Sequence, residues 1–336
     1  MSASSAIDRT VPSACAGALP RFMGELPSTH ERVEAYMARN PHLVMRGHAP
    51  GCYAIIGLPA ELYHGDRSAV CRSQLQEVLR SSAHFRAKVT APAKPSTASQ
   101  RLGTAVHCAL LETNEFLRSY FASTAAKRSD KRFKSDVALN KGKTVLTNSE
   151  WMKVSGAIAG ALACRNFDLH TALRQGPEGG WAYSELTIYW LDPETGLRMR
   201  ARLDRILWHP PSGDGLILDV KTLDDCSEQG MLLQVELHNL DFQQAMYCAA
   251  AKALTGCDLP FMLVGCELEP PHLCQAHMIG GRSARAINGA LKFKDAVHAL
   301  RIFTADDSFD GRRDISGPVE LTEVPLLPKQ RYVPRF

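Results

Sequence analysis

The sequence predicts an α/β protein with a mixed central β-sheet flanked by helices. Two observations carry that prediction. Apolar residues first recur at helical spacing; from Trp181 they alternate with polar ones at a period of two, and helical and strand-like runs follow in turn after residue 241. The strand-like runs 183–191, 197–208 and 216–222 are divided by turn chemistry, Asp192-Pro193-Glu194-Thr195-Gly196 and Pro210-Pro211-Ser212-Gly213-Asp214-Gly215. A three-strand meander followed by helix, strand, strand and helix belongs to the layered α/β class.

In chain order, residues 30–39 form the first helical candidate, and 50–62 read as a short strand and turn. Ser73 is a suitable N-cap for a helix to about residue 83, with Leu75, Val78 and Leu79 on one side. A second helix covers 102–116, with Val106, Leu110 and Leu111 inward. Between residues 122 and 143 the apolar period fails. Lys127, Arg128, Lys131, Arg132, Lys134, Lys141 and Lys143 face only Asp130 and Asp136, which reads as a basic loop suited to phosphate contact. Asn148 or Ser149 caps a helix through about residue 164. After the meander come a helix over 241–254, an apolar strand over 261–266, a partner strand over 275–279 and a helix over 282–303; the tail from Pro318 is Pro-rich. The expected division is an N-terminal segment 1–60 of unknown role, a main domain 61–310 and a tail 311–336.

The 336 residues are long enough for a large core. No apolar run reaches about 18 residues, and the N-terminus lacks the pattern of a signal peptide, so the expectation is a cytoplasmic protein with no membrane span. Ten cysteines include no C-x-x-C pair, which argues against a zinc ribbon, and several sit in apolar runs as small buried hydrophobes. A net charge of +4 permits a nucleic-acid partner without demanding one.

The chemistry concentrates in residues 202–221. Asp204 sits in one strand-like run and Asp219-Val220-Lys221 closes the next. Residues i and i+2 of a strand share a face, so Asp219 and Lys221 project together, their Cα atoms roughly 6.5–7 Å apart. Two carboxylates on adjacent strands make an oxygen-rich cage for Mg²⁺. A lysine beside them can position or deprotonate a water, and the set suits phosphodiester hydrolysis.

Each element is common alone; their order is not. Gly103-x-x-x-His107 on a helix precedes Glu185 and Asp204 on two hairpin strands, then Asp219-Val220-Lys221, then Gln243-x-x-x-Tyr247 on the next helix. This order resembles the PD-(D/E)xK nuclease superfamily, a restriction-endonuclease-like fold, in its RecB-like branch. Leu102-Gly103-Thr104-Ala105-Val106-His107-Cys108, Ile188-Tyr189-Trp190-x-Asp192-Pro193-Glu194-Thr195-Gly196 and Leu218-Asp219-Val220-Lys221-Thr222 further resemble RecE-type exonuclease VIII domains, as do Arg72-Ser73-Gln74-Leu75 and Lys143-Thr144-Val145-Leu146-Thr147. The resemblance spans residues 63–303.

What it implies is a metal shell of His107, Asp204, Asp219 and the Val220 carbonyl, with Lys221 as catalytic lysine. Gln243 and Tyr247 stand beside the site, and Glu185 is an acid of the first strand. Mg²⁺ is the implied cofactor, with Mn²⁺ as substitute. The implied activity is a processive 5′→3′ exonuclease on double-stranded DNA ends, leaving 3′ single strands for phage-type recombination. A homo-oligomeric ring and a single-strand annealing protein of the RecT type are the implied partners, and Lys127, Arg128, Lys131 and Arg132 are a DNA contact. Two other readings are a RecB-branch nuclease of different polarity, Cas4-like although the cysteine spacing of its iron–sulfur cluster is missing, and a catalytically inactive DNA-binding module.

Overall fold

A computed structural model describes residues 19–92 and 95–311 of the protein. Residues 1–18 and the Pro-rich tail from residue 312 lie outside them. In chain order the elements are α1 (Arg21–Gly24), α2 (His30–Arg39), β1 (Val44–Arg46), β2 (Tyr53–Ile55), α3 (Ala60–Gly65), α4 (Arg72–Leu75), α5 (Ser82–Thr90), α6 (Ala98–Leu111), α7 (Thr113–Ser119), β3 (Tyr120–Ala122), α8 (Lys131–Leu139), β4 (Thr144–Leu146), α9 (Asn148–Leu162) and α10 (Leu169–Arg174). The second half holds β5 (Trp181–Leu191), β6 (Arg198–His209), β7 (Asp214–Leu223), α11 (Glu228–His238), α12 (Leu240–Thr255), β8 (Phe261–Glu267), β9 (Cys274–Ile279) and α13 (Ala284–Ala305).

The main sheet has seven strands in the order β1-β2-β5-β6-β7-β8-β9. Every neighbouring pair is antiparallel except β7 and β8, whose parallel pairing needs the long connection through α11 and α12. The sheet is therefore mixed and flanked by helices, as the sequence predicts. Apolar side chains of α12 and α13 cover one face, with Ile217, Phe261 and Leu263 of the sheet. Those of α6, α9 and α10 cover the other, with Leu218, Val220, Met262 and Val264. The opposite assignment of Ile217 and Leu218 is the period-two alternation of a strand buried on both sides.

Four expectations change. The helix read over 73–83 is three pieces: α4, a 3₁₀ turn at Gln76–Leu79, and α5. Ser73 lies inside α4 while Cys71 stands at its N-cap, and Ser81 caps α5 by accepting from the His84 N–H. The helix read over 102–116 starts earlier, at a capping box of Thr97 and Gln100, and Glu112 divides it into α6 and α7. The cap before α9 is Thr147, locked to Glu150, rather than Asn148 or Ser149. The basic segment 122–143 is no irregular loop. It contains α8, held over the parallel pair β3–β4 by Phe133, Val145 and Ala125 and by the Ser123 hydroxyl donating to buried Asp136 at 2.6 Å. One helix, α11, carries no clear helical period: Met231, Leu232 and Leu233 run together, and Leu233 and Leu237 remain exposed.

Candidate active site

The site opens where the ladders of the central strands come apart. Pairing of β5 with β6 runs on both sides of Glu185 and Asp204 in one constant register, Ser184 opposite Arg205 and Leu186 opposite Leu203, yet Glu185 and Asp204 themselves are left out. The ladder of β6 with β7 likewise stops at Arg205 and Leu218, one step before Asp204 would meet Asp219. Three carboxylates thus occupy matching positions on three adjacent strands.

The strand pattern shows how this is done. On β5, Trp181 and Tyr183 pack on the same core cluster as Leu186, Ile188 and Trp190, so the inward side shifts from odd to even residues at Glu185. On β6, Met199, Ala201 and Leu203 share that cluster with Ile206 and Trp208, so the shift recurs at Asp204. Both strands therefore carry one residue out of the pleat, as at a bulge. Glu185 takes φ +52° for this, a left-handed conformation that costs a glutamate of order 1–3 kcal/mol. Asp204 fills the gap by accepting from the Val220 N–H at 2.8 Å, in place of a backbone carbonyl.

Helix α6 closes one wall. A Cβ on Gly103 would lie 2.9 Å from the Thr222 hydroxyl, so the glycine lets α6 approach the end of β7. One turn later His107 reaches across: Nε2 lies 2.6 Å from the Val220 carbonyl oxygen and Nδ1 3.5 Å from Asp204. On the other face of β7, buried Asp219 is held from two sides. Its Oδ1 accepts from the Gln243 side-chain amide on α12, and its Oδ2 forms an ion pair with Lys221. Tyr247, one turn beyond Gln243, lines the same cleft and packs edge-on against Phe261.

The cleft encloses about 620 Å³ and gathers His107, Glu185, Asp204, Asp219, Val220, Lys221, Gln243 and Tyr247. Burial and then the neighbouring Asp219 push Asp204 up to about 7, against the pull of His107 and Lys221. Burial, with Asp219 next, holds the Tyr247 phenol well above its ordinary range. These are the shifts of a site with more negative charge than its own cations neutralise.

Three residues of the cleft were not singled out by sequence reasoning as site members. Arg202 donates to Glu185 and to the Leu58 carbonyl. Glu112, at the α6–α7 junction, is raised by burial and by Glu185. Arg72 stands at the start of α4. The alternating arginines of β6 were the available signal for Arg202; Glu112 follows His107 by five residues and shows none. Lys127, Arg128, Lys131 and Arg132 do not line the cleft. All four are exposed, but Arg128 is spent on Glu150 and the Phe133 ring, and Arg132 on Asp136.

A divalent cation fits the donors. Single ligand atoms of His107, Glu185 and Asp204 lie within 4.8 Å of one another, and the Val220 carbonyl adjoins His107. Carboxylate and carbonyl oxygens suit Mg²⁺, and the imidazole suits Mn²⁺. Asp219 falls outside that group of three, turned instead to Gln243 and Lys221. Glu185, expected as an acid of the first strand but not as a metal ligand, falls inside it.

A fold with carboxylates on adjacent strands and Asp-Val-Lys at a strand end defines the PD-(D/E)xK class. The chain belongs to a family described as a PDDEXK-like domain of unknown function (DUF3799), whose model matches residues 71–306. No curated protein matches it. Among solved structures it is similar to a candidate exonuclease of Eubacterium rectale, at TM-score 0.49 and 13% identity over 79% of this chain and 97% of that one. It is also similar to a Vibrio cholerae protein, at TM-score 0.22 and 13% identity over 77% of this chain and 60% of that one. Among the described residues no helix is long and apolar enough to cross a membrane.

Proposed function

We propose that the protein is a Mg²⁺-dependent deoxyribonuclease, an exonuclease that degrades duplex DNA ends 5′→3′ and leaves 3′ single strands. The observation that carries the hydrolase reading is the convergence of His107, Glu185, Asp204, Asp219 and Lys221 on one cleft, where the strand ladders open. The direction of cutting, a homo-oligomeric ring and a RecT-type annealing partner rest on the resemblance of the motifs to RecE-type domains.

A phosphodiester resists water because its anionic oxygens repel a nucleophile. A divalent cation held by His107, Asp204, Glu185 and the Val220 carbonyl would screen that charge, acidify a bound water and steady the departing 3′ oxygen. The chain's own residues do the rest. Lys221 holds the attacking water and offsets charge gathering on the phosphorus oxygens. Its partner Asp219 keeps it in place, and the Gln243 amide fixes Asp219 in turn. Arg202 neutralises Glu185 in the absence of the cation. An orienting role suits Lys221 better than that of a free base, because its ammonium is already engaged in the ion pair with Asp219.

The test is cleavage of linear duplex DNA by purified protein in Mg²⁺ and in EDTA, with label at the 5′ or the 3′ terminus. Release of 5′ label first, abolished by EDTA, is expected. Cleavage unaffected by EDTA removes the metal, release from the 3′ end reverses the polarity, and no cleavage in either buffer removes the activity.

A further inference from the structure

Five side chains able to carry positive charge line the cleft: His64, Arg72, His107, Arg202 and Lys221. Arg202 is spent on Glu185, Lys221 on Asp219, and His107 on Asp204 and the Val220 carbonyl. Burial, with Arg202 and Arg200 next, lowers the His64 pKa, which keeps that ring neutral. Arg72 differs from all of them. Among the described residues no carboxylate lies within ion-pair distance of it. Its Nη2 donates to the carbonyls of His238 and Asn239, at the junction of α11 and α12. Its Nε is buried without an acceptor, and no acceptor meets Nη1 among the described residues.

A guanidinium whose Nη2 is fixed and whose Nη1 is unmatched holds a positive charge and a free donor in one place, ready for an anion. The junction it grips is rigid: Lys292 donates to Asn239 and Asp241, and Asn288 donates to Asp241. The same helix, α12, then carries Gln243 to Asp219. Arg72 is thereby fixed relative to the reacting centre rather than swinging on a loop. An arginine held this way offers Nη1 in a fixed direction, whereas a lysine ammonium at the end of a flexible stem would not be held by the two carbonyls in the same way.

We propose that Arg72 is a substrate-binding residue whose guanidinium takes a phosphate of the DNA strand lying in the cleft, beside the phosphodiester to be cut. The proposal rests on the nuclease reading above and adds to it where the strand is gripped. The phosphate is either a terminal phosphomonoester or an internal phosphodiester.

The experiment uses the full chain with Lys221→Ala, alone or with Arg72→Gln or Arg72→Lys, in Mg²⁺. Fluorescence anisotropy follows duplexes bearing a 5′-phosphate or a 5′-hydroxyl over a series of salt concentrations. Thermal midpoints and Mn²⁺ binding without DNA are measured in parallel. Arg72→Gln is expected to weaken DNA binding about tenfold and to lower the salt slope by about 0.9, the loss of one phosphate contact. Arg72→Lys should recover part of both, and Mn²⁺ binding should not move. A loss confined to the 5′-phosphorylated duplex identifies the terminal phosphate, and an equal loss on both identifies an internal one. An unchanged slope overturns the proposal. So does a weakening that comes with a lower thermal midpoint and is not recovered by lysine, since Arg72 would then only cap α11. Failure of the unaltered chain to cut linear duplex in Mg²⁺ removes the nuclease reading; normal cutting with an unaffected Arg72→Gln removes this inference alone.

Discussion

Asp66 and Asp204 are two shielded carboxylates tied to the same pair of strands, β5 and β6, and the fold treats them in opposite ways. Asp66 is wholly buried and fully matched. It accepts from the Tyr189 hydroxyl and the Ser68 N–H, both at 2.7 Å, with His30 at 3.5 Å and buried Arg200 nearby. Burial alone would raise its pKa, but His30, Arg200, Ser68 and Tyr189 outweigh it and hold the carboxyl well below the ordinary range. Asp204 has the Val220 N–H and a distant His107, and it faces Asp219 and Glu185. Its pKa goes the other way, up to about 7. One centre completes itself and holds the outer layer on the sheet. The other is left short of positive charge, which is the state of a site that expects a cation.

The comparison breaks most sharply at activity. Lys221→Ala should lower DNA cleavage by about 10²–10³-fold in Mg²⁺, and Asp219→Ala, which releases Lys221, by up to as much, with circular dichroism unchanged in both. Lys221→Ala should still bind the cation, because the ligands remain. Turnover restored in it by excess Mg²⁺ would show that Lys221 acts on metal affinity instead. His107→Ala should do less: cleavage falls at limiting metal and returns with excess metal, because the oxygen ligands Glu185 and Asp204 remain.

Asp66→Ala should have the mirror effect. Removing Asp66 takes the acceptor from the buried Tyr189 hydroxyl and the Ser68 N–H and the nearby negative charge from buried Arg200, and should cost about 1–3 kcal/mol by urea denaturation. Cleavage per folded molecule should be unchanged. A variant that keeps its stability would show the Asp66 centre to be replaceable surface chemistry.

This contrast was half legible in the sequence. Asp219 and Lys221 at i, i+2, and Gln243 and Tyr247 at i, i+4, show their shared faces directly, because backbone geometry alone sets them. Asp66 and its arginines did not show. Arg198, Arg200 and Arg202 alternate along β6 as residues of a solvent-facing side would, yet Arg198 and Arg200 are buried. Their burial depends on what covers the sheet, here α2 and α3 through Val33, Met37 and Leu62, and a strand's own pattern does not report that. The pleat shift at Glu185 was present in the spacing, Trp181-x-Tyr183 followed by Leu186-x-Ile188-x-Trp190. It passed as one continuous strand because either half taken alone alternates correctly.

pH should separate the two centres in the metal-free protein. Asp66 has a lowered pKa, so its contribution to stability is present above about pH 4 and is lost as pH falls through its folded value. Asp204 has a raised pKa, so its contribution is present below about pH 4 and is lost as pH rises through about 7. Between about pH 4 and 7 the metal-free chain should lose stability, on the order of 1–2 kcal/mol given that the Asp204 side chain keeps some contact with solvent. Asp204→Asn should flatten this limb and leave the acid limb intact; Asp66→Asn should do the reverse. Mg²⁺ should also flatten it, without mutation. An alkaline limb that survives Asp204→Asn would place the shifted group elsewhere.

The smallest effect expected is in the basic segment, where the same distinction between matched and unmatched charge applies. Arg128 and Arg132 are matched to Glu150 and Asp136, whereas Lys127 and Lys131 are exposed without a carboxylate partner among the described residues. If this lobe touches DNA, the lysines make the contact. Lys127→Ala with Lys131→Ala should lower the slope of log K against log salt by about 1.8, two phosphate contacts at about 0.9 each. Cleavage at saturating DNA should persist, since neither lysine lines the cleft. Arg128→Ala with Arg132→Ala should change the slope little. They should loosen α8 instead, because Arg132 pairs with the same Asp136 that anchors Ser123. Equal slopes for both double variants and the unaltered chain would mean the lobe is solvated surface, and that the strand's path lies along α12 and Arg72.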